Sequence, residues 1–237
     1  MATIVEKYSA TLCSVCGGLG YIRKDVDDGI FFEECVCVKI HDAENTYREA
    51  NIPRRYWHFG LEDLNAGYKK KNAGQLARVD DYIKNLDMNI EQGEGLWFCS
   101  APGLGKSTAI VSILKAALVG GHCPYFIRAS RIIKYKFEAL RDVQIAKLLE
   151  FIVDVVDILA IEEFDKLYLS GEEAMNNQLF YEFMEDVYDR QKSLLLSSNM
   201  VPRDVMGKYP TFIQDRLRSL KPVIFTGLSE RRTKSKL

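Results

Sequence analysis

The sequence predicts an α/β protein, a parallel sheet covered by helices, preceded by a small cysteine-bearing module. Three observations carry this expectation. Short apolar strands alternate with helical patterns from Leu96 to Thr226, the signature of a parallel sheet buried on both faces. A glycine-containing loop, CSAPGLGKST from Cys99 to Thr108, sits between a strand and a helix. Four of the six cysteines are gathered before residue 38.

The cysteines come first in the chain. Cys13-x2-Cys16 and Cys35-x-Cys37 are 18 residues apart. Between them GGLGYIRKDV, DDG and IFFEECVCV read as a hairpin turning at Asp27-Asp28-Gly29, which brings the two pairs together. In a reducing compartment such a cluster holds a metal more often than it forms disulfides. Four thiolates complete the tetrahedron of a structural Zn²⁺ and leave no position open for chemistry. So short a module has almost no core, and structural zinc contributes about 10–16 kcal/mol in finger peptides. Four incidental thiols, or a set in which His41 replaces one cysteine, are the alternatives. Cys99 and Cys123 lie in expected strands and read as small buried hydrophobes.

After Val38 the pattern is helical through HDAENTYREAN and stops at Ile52-Pro53; RRYWHFGLEDL (54–64) is an aromatic-rich connector. Leu76, Val79, Ile83, Leu86 and Ile90 keep the spacing of one helix, ended by Gly93 and Gly95. Then follow the strand LWFC, a helix from Lys106 to Val119, the strand PYFIR, two helical stretches between Ser130 and Phe151, and the strand DILAI. A helix over 172–191, the strand SLLLSS, a helix near 212–217 and the strand PVIFT complete the series. The expected organisation is a zinc module over 1–41, a linker over 42–72 and a nucleotide-binding domain over 73–237.

Composition narrows the function. With 237 residues, 47% hydrophobic and 27% charged, the chain has the profile of a soluble globular protein. No apolar run approaches the roughly 18 residues of a membrane span, and MATIVEKYSA lacks the features of a signal peptide, so a cytoplasmic protein without membrane contact is expected. Net charge is −1, so any contact with nucleic acid has to be local. The candidate is RASRIIKYKF, where Arg128, Arg131, Lys134 and Lys136 interleave with Tyr135 and Phe137 as a single-strand binder would. An ordinary amphipathic helix with a basic face explains it equally well.

The loop carries the chemistry. Following a strand and opening a helix is the context in which backbone N–H groups wrap phosphates. Ala101, Pro102, Gly103, Leu104, Gly105, Lys106, Ser107 and Thr108 form the cradle; Lys106 would reach the β- and γ-phosphates of ATP and Ser107 would give an oxygen to Mg²⁺. The pattern G-x-x-x-x-G-K-[ST] asks for glycine where this chain has Ser100, a departure that costs about 1–2 kcal/mol only if φ there is positive. DILAIEEF supplies the acidic strand end: Glu162 would hold the Mg²⁺ shell and Glu163 would polarise the attacking water. Most such motifs place aspartate first, and Glu162 must fold back to serve. Two glutamates could also be a solvated strand end.

With these motifs in place, the chain resembles the bacterial and phage replicative helicase loaders of the DnaC/DnaI type, which are AAA+ P-loop ATPases, with the transposition helper IstB as a cousin. ANIPRRYWHFGLEDL (50–64) resembles the stretch before their ATPase core, SAPGLGKST their phosphate loop, and DILAIEEF their acidic strand. Ser197-Ser198-Asn199 is similar to their sensor strand, which implies that Asn199 touches the γ-phosphate or the attacking water. Asp215-Arg216-Leu217-Arg218 is similar to their "DRMR" helix, which implies that Arg216 acts in trans on a neighbour's ATP; without the resemblance these charges would simply decorate an exposed helix. FTGLSER (225–231) resembles the family's ending, and the cysteine pattern that of DnaI-like and phage loaders. The resemblance implies an AAA+ core with the helical lid absent.

The expected function is therefore an ATPase that loads a DnaB-type hexameric helicase onto single-stranded DNA in replication initiation, its N-terminal module gripping the helicase and its ATP sites joining copies of the chain. The alternative is an IstB-like adaptor that recruits a transposase or another DNA-processing enzyme. The cysteine module favours the loader.

Overall fold

The computed structural model describes residues 16, 21–26, 29–169 and 173–227, so Cys13 lies outside the described residues. The chain divides into two compact units, residues 1–49 and 50–237. In the first, strands β1 (Tyr21–Val26) and β2 (Gly29–Glu34) pair antiparallel, with a register running from Tyr21↔Glu34 to Val26↔Gly29. Cys16 precedes the hairpin and Cys35 follows it, both buried. Helix α1 spans Val36–Glu49. This corrects the expected strand IFFEECVCV, which stops at Glu34 and leaves Cys37 in the first helical turn. The cause is legible: Val36, Ile40, Ala43 and Tyr47 recur at helical spacing, a pattern that overrides the alternation before it.

The second unit begins with the aromatic-rich stretch and two short helices. Helix α2 (Ala66–Lys71) starts at Asn65, whose side chain accepts the Gly67 N–H at 2.8 Å. Helices α3 (Ala73–Lys84) and α4 (Leu86–Glu91) replace the single helix expected over 76–90. Asn85 makes the break. Its side-chain amide donates to the Asp81 carbonyl at 2.9 Å, closing one helix, while its own carbonyl accepts from Asn89 N–H and opens the next. Val79, Tyr82 and Leu86 are buried, and the aromatic member was not anticipated.

Five parallel strands follow: β3 (Leu96–Cys99), β4 (Pro124–Arg128), β5 (Ile158–Glu162), β6 (Ser193–Ser198) and β7 (Lys221–Ile224), in the order β4-β5-β6-β3-β7. Helices α5 (Lys106–Val119), α6 (Ala129–Glu138), α7 (Val143–Asp154), α8 (Glu173–Asp189), α9 (Pro202–Met206) and α10 (Thr211–Arg218) flank the sheet. Helix α9 was not expected; it starts on Pro202, whose missing N–H is harmless at a first helical position. Phe164, Phe180 and Phe183 pack with Trp97 and the interior of β5 and β6 in one core. Among the described residues no helix is long and apolar enough to cross a membrane.

The register positions the site. Cys99 pairs with Ser198, so the chain leaving β3 and the chain leaving β6 emerge side by side; Arg128 pairs with Glu162, so β5 ends one strand further along. Sites in open parallel sheets form at these C-terminal strand ends, where connections diverge.

Two buried acids make the fold sensitive to alkali. Burial pushes the Tyr82 phenol up to about 12 and the Cys99 thiol up to about 12. An unfolded chain loses these protons near 10 and 8.5 respectively. The folded values are raised, so this stability is fully present below the unfolded values and is lost as pH rises toward 12. Urea midpoints measured from pH 7 to 11 are expected to fall at the alkaline end, and Tyr82→Phe is expected to flatten that fall.

Candidate functional site

Residues 99–108 leave β3 and enter α5 through two left-handed glycines, Gly103 (φ 83°) and Gly105 (φ 77°). At Gly105 a side chain would also meet Tyr68, whose hydroxyl would lie 2.9 Å from an added Cβ. That hydroxyl donates to the Leu104 carbonyl at 2.6 Å and braces the loop from behind. Ser100 is not left-handed. Its N–H donates to the Ser198 carbonyl at 3.3 Å, continuing the strand, so the missing glycine imposes no backbone strain.

Lys106 is 7% exposed. Its ammonium donates to the Ser100 carbonyl at 2.6 Å and to Ser100 Oγ, the Ala101 carbonyl and Asn199 Oδ1, each at 3.2 Å. Burial pushes its pKa down, opposed by the carboxylates of Asp165, Glu162 and Glu163. Four acceptors already surround its three N–H groups, so a phosphate oxygen would take the place of one of them. Asn199, expected from resemblance alone, thus stands on the phosphate-loop lysine.

Glu162 is 3% exposed and accepts the hydroxyl of Ser107. The carboxylate thus reaches Ser107, and two hard oxygen donors in contact beside the loop are a set that suits Mg²⁺. Glu163 adopts a left-handed backbone, φ 56°, rare for a residue with a side chain. Its N–H donates to Ser197 Oγ at 3.1 Å, and its Oε2 lies 2.8 Å from Lys166 Nζ.

These groups line one cavity of about 420 Å³. Tyr56, Phe59 and Leu64 give it an apolar lining beside the Arg55 guanidinium, and Lys166 and Ser197 line it too. Sequence reasoning noticed the aromatics but gave them no task; their density just before the core was the available signal. A cavity lined by aromatic side chains and a cationic loop fits a nucleotide with its base among the aromatics. Asp165 was missed altogether. It is 8% exposed, its Oδ1 has no hydrogen-bond partner among the described residues, and its charge acts on Lys106.

Other expected residues lie elsewhere. Arg216, on α10, donates to Glu185 Oε1 at 2.5 Å and covers the Tyr188 ring at 4.1 Å, both on α8. That hydrogen bond holds the Glu185 carboxyl below its ordinary value. Arg216 does not line its own chain's nucleotide cavity. On α6, Ile132 and Ile133 are buried, Lys134 pairs with Glu138 at 3.3 Å and Lys136 with Asp186 at 3.7 Å. Arg131 lies over Tyr135 at 5.1 Å, and Phe137 is exposed. Of the cysteines, Cys16 and Cys35 are buried, and the described residues assemble no group of three or more metal-binding side chains.

The five-stranded parallel sheet, with its loop from β3 into α5, is a fold shared with solved replication proteins. A solved structure of the DnaC helicase loader is similar at TM-score 0.61 and 20% identity, over 73% of this chain and 100% of that one. A structure of DnaI is similar at TM-score 0.60 and 15% identity, over 74% of this chain and 95% of that one. The replication initiator DnaA, bound to AMPPCP and single-stranded DNA, is similar at TM-score 0.60 and 18% identity; the match covers 75% of this chain and about half, 51%, of that one. No family model and no curated protein matches the sequence.

Two of the left-handed positions, Gly105 and Glu163, invite opposite substitutions. Gly105→Ala is expected to lower stability by about 1–2 kcal/mol through backbone strain alone, before the collision with Tyr68. Glu163→Gly relieves comparable strain against about 0.5–1 kcal/mol of extra chain entropy, so stability is expected to hold or rise slightly. Denaturant midpoints of the two variants provide the check.

Proposed function

We propose that the chain binds and hydrolyses ATP and uses it to load a DnaB-type hexameric helicase onto single-stranded DNA during replication initiation. The observation that carries the reading is the cluster of Lys106, Asn199, Ser107 and Glu162 at the strand ends of an AAA+ fold that spans the whole DnaC loader structure. Lys106 and the loop N–H groups receive the phosphates, and Ser107 and Glu162 hold Mg²⁺. When bound, Mg²⁺ supplies neutralisation of the β,γ-phosphate charge. Glu163 orients the attacking water and takes its proton, and Asn199 aligns the γ-phosphate.

Two further parts complete the proposal. Arg216, unused by its own cavity, serves the ATP of a neighbouring copy, which requires it to leave Glu185. The unit over residues 1–49 contacts the helicase, with Zn²⁺ on Cys13, Cys16, Cys35 and Cys37. Cys16 and Cys35 are buried on either side of the hairpin and Cys37 lies in the first turn of α1, a placement that supports this ligand set.

Lys106→Ala is expected to weaken ATP binding by roughly 10- to 100-fold, the scale of charge-assisted hydrogen bonds. Glu163→Gln is expected to keep binding and to slow hydrolysis by about 10²- to 10⁴-fold. Equal loss of binding in both would refute the assigned roles.

Metal analysis is expected to find one zinc per chain, lost with folding of the hairpin unit in Cys35→Ser; a folded, metal-free wild type contradicts the ligand set. The loading reading is tested by helicase capture beside unwinding of a closed single-stranded circle. Arg216→Ala is expected to capture helicase without loading it, and deletion of residues 1–49 to bind nucleotide without capture. Normal loading by Arg216→Ala, or capture by the truncated chain, overturns the corresponding assignment.

A further inference from the structure

Lys166 follows Glu163 by one turn, inside the 3₁₀ segment Phe164–Leu169, and lines the same cavity. The backbone between them is fixed. Glu163 is left-handed, its N–H is taken by Ser197 Oγ, and its carbonyl accepts the Lys166 N–H at 3.0 Å. The main chain therefore sets where the Glu163 side chain starts, and its torsions deliver Oε2 to the Lys166 ammonium, 2.8 Å away. The ion pair turns the carboxylate toward Lys166 and occupies one of its two oxygens, so the group is not directed at an attacking water while the pair persists. Neither side chain is locked by packing: Lys166 is 51% exposed and Glu163 36%.

We propose that Lys166 is a positioning residue that restrains hydrolysis, holding the Glu163 carboxylate in an ion pair that must open before the carboxylate can act on water. The inference rests on the ATPase reading above and adds to it a restraint built into the acidic strand end. The lysine stem is long and flexible, and its ammonium faces the space where the triphosphate charge arrives, so a bound anion or an acidic group of a partner can draw it away. Ion pairs this exposed are weak, which makes the restraint mild and easily released.

The test compares wild type, Lys166→Met, Lys166→Arg and the double variant Lys166→Met/Glu163→Gln. Steady-state ATP turnover is read beside the affinity for a non-hydrolysable ATP analogue with Mg²⁺. Lys166→Met is expected to raise kcat about three- to tenfold, tenfold corresponding to about 1.4 kcal/mol of barrier. Its analogue affinity is expected to stay within about twofold of wild type, since a restraint on the base leaves ground-state binding alone. Lys166→Arg is expected to keep the slow rate, and the double variant to lose turnover, placing the gain on Glu163. Unchanged or reduced kcat in Lys166→Met with analogue affinity retained overturns the proposal. Reduced analogue affinity together with reduced kcat also overturns it, assigning Lys166 to the phosphates instead. A wild type that binds no analogue defeats the ATPase reading and this proposal together, whereas retained binding with an unresponsive kcat defeats only the latter.

Discussion

A lysine ammonium almost withdrawn from water sets the conditions for the rest of the unit over residues 50–237. Lys106 opens helix α5, and the loop after β3 and the residue after β6 must turn oxygen atoms toward it. Carbonyls of Ser100 and Ala101 supply two, the Ser100 hydroxyl a third, and the Asn199 amide a fourth. Bringing Asn199 there requires β6 beside β3 in parallel register, with Ser198 opposite Cys99. The sheet order thus has a local electrostatic consequence: it gives a buried ammonium hydrogen-bond partners from the chain leaving both strands.

The same demand explains why residues before the sheet belong to this unit. Tyr68 holds the Leu104 carbonyl and occupies the space behind Gly105. Four residues later Asn72, fully buried, grips both backbone groups of Thr226 at 2.9 Å. Residues 154 apart in sequence are tied by one side chain, and the edge strand β7 is anchored beside the phosphate loop. Arg55, Tyr56, Phe59 and Leu64 line the same cavity as the loop from Pro102 to Thr108, although a long stretch of chain separates the two.

Much of this was legible in the sequence, for definable reasons. Helix α5 begins and ends where a phosphate loop and Gly120-Gly121 dictate, and PYFIR and SLLLSS match β4 and β6 residue for residue because continuous apolar runs between turn signals admit little else. Ser100 and Glu162 looked like departures from a pattern, and the structure gives both a place: one continues a strand, the other reaches Ser107. What could not be read was pairing between distant residues. Asn72 carries no pattern that names Thr226, and nothing in DRLR predicts that Arg216 lies on Glu185 and Tyr188. Asp165 was hidden for a related reason, since an acid in a turn reads as solvated until its burial is known. Cys37 was misplaced because an alternating apolar run and a helical spacing overlap across Cys35–Val38.

The central claim is that the Lys106 cluster is a site for the phosphates of a Mg²⁺-bound nucleoside triphosphate. Calorimetric titration of the full chain with a non-hydrolysable ATP analogue, with and without Mg²⁺, tests it most directly. The account predicts one molecule bound per chain, with affinity that rises when Mg²⁺ is present because Ser107 and Glu162 then add to the hold of Lys106. Absence of binding at millimolar analogue, or binding indifferent to Mg²⁺, would contradict it.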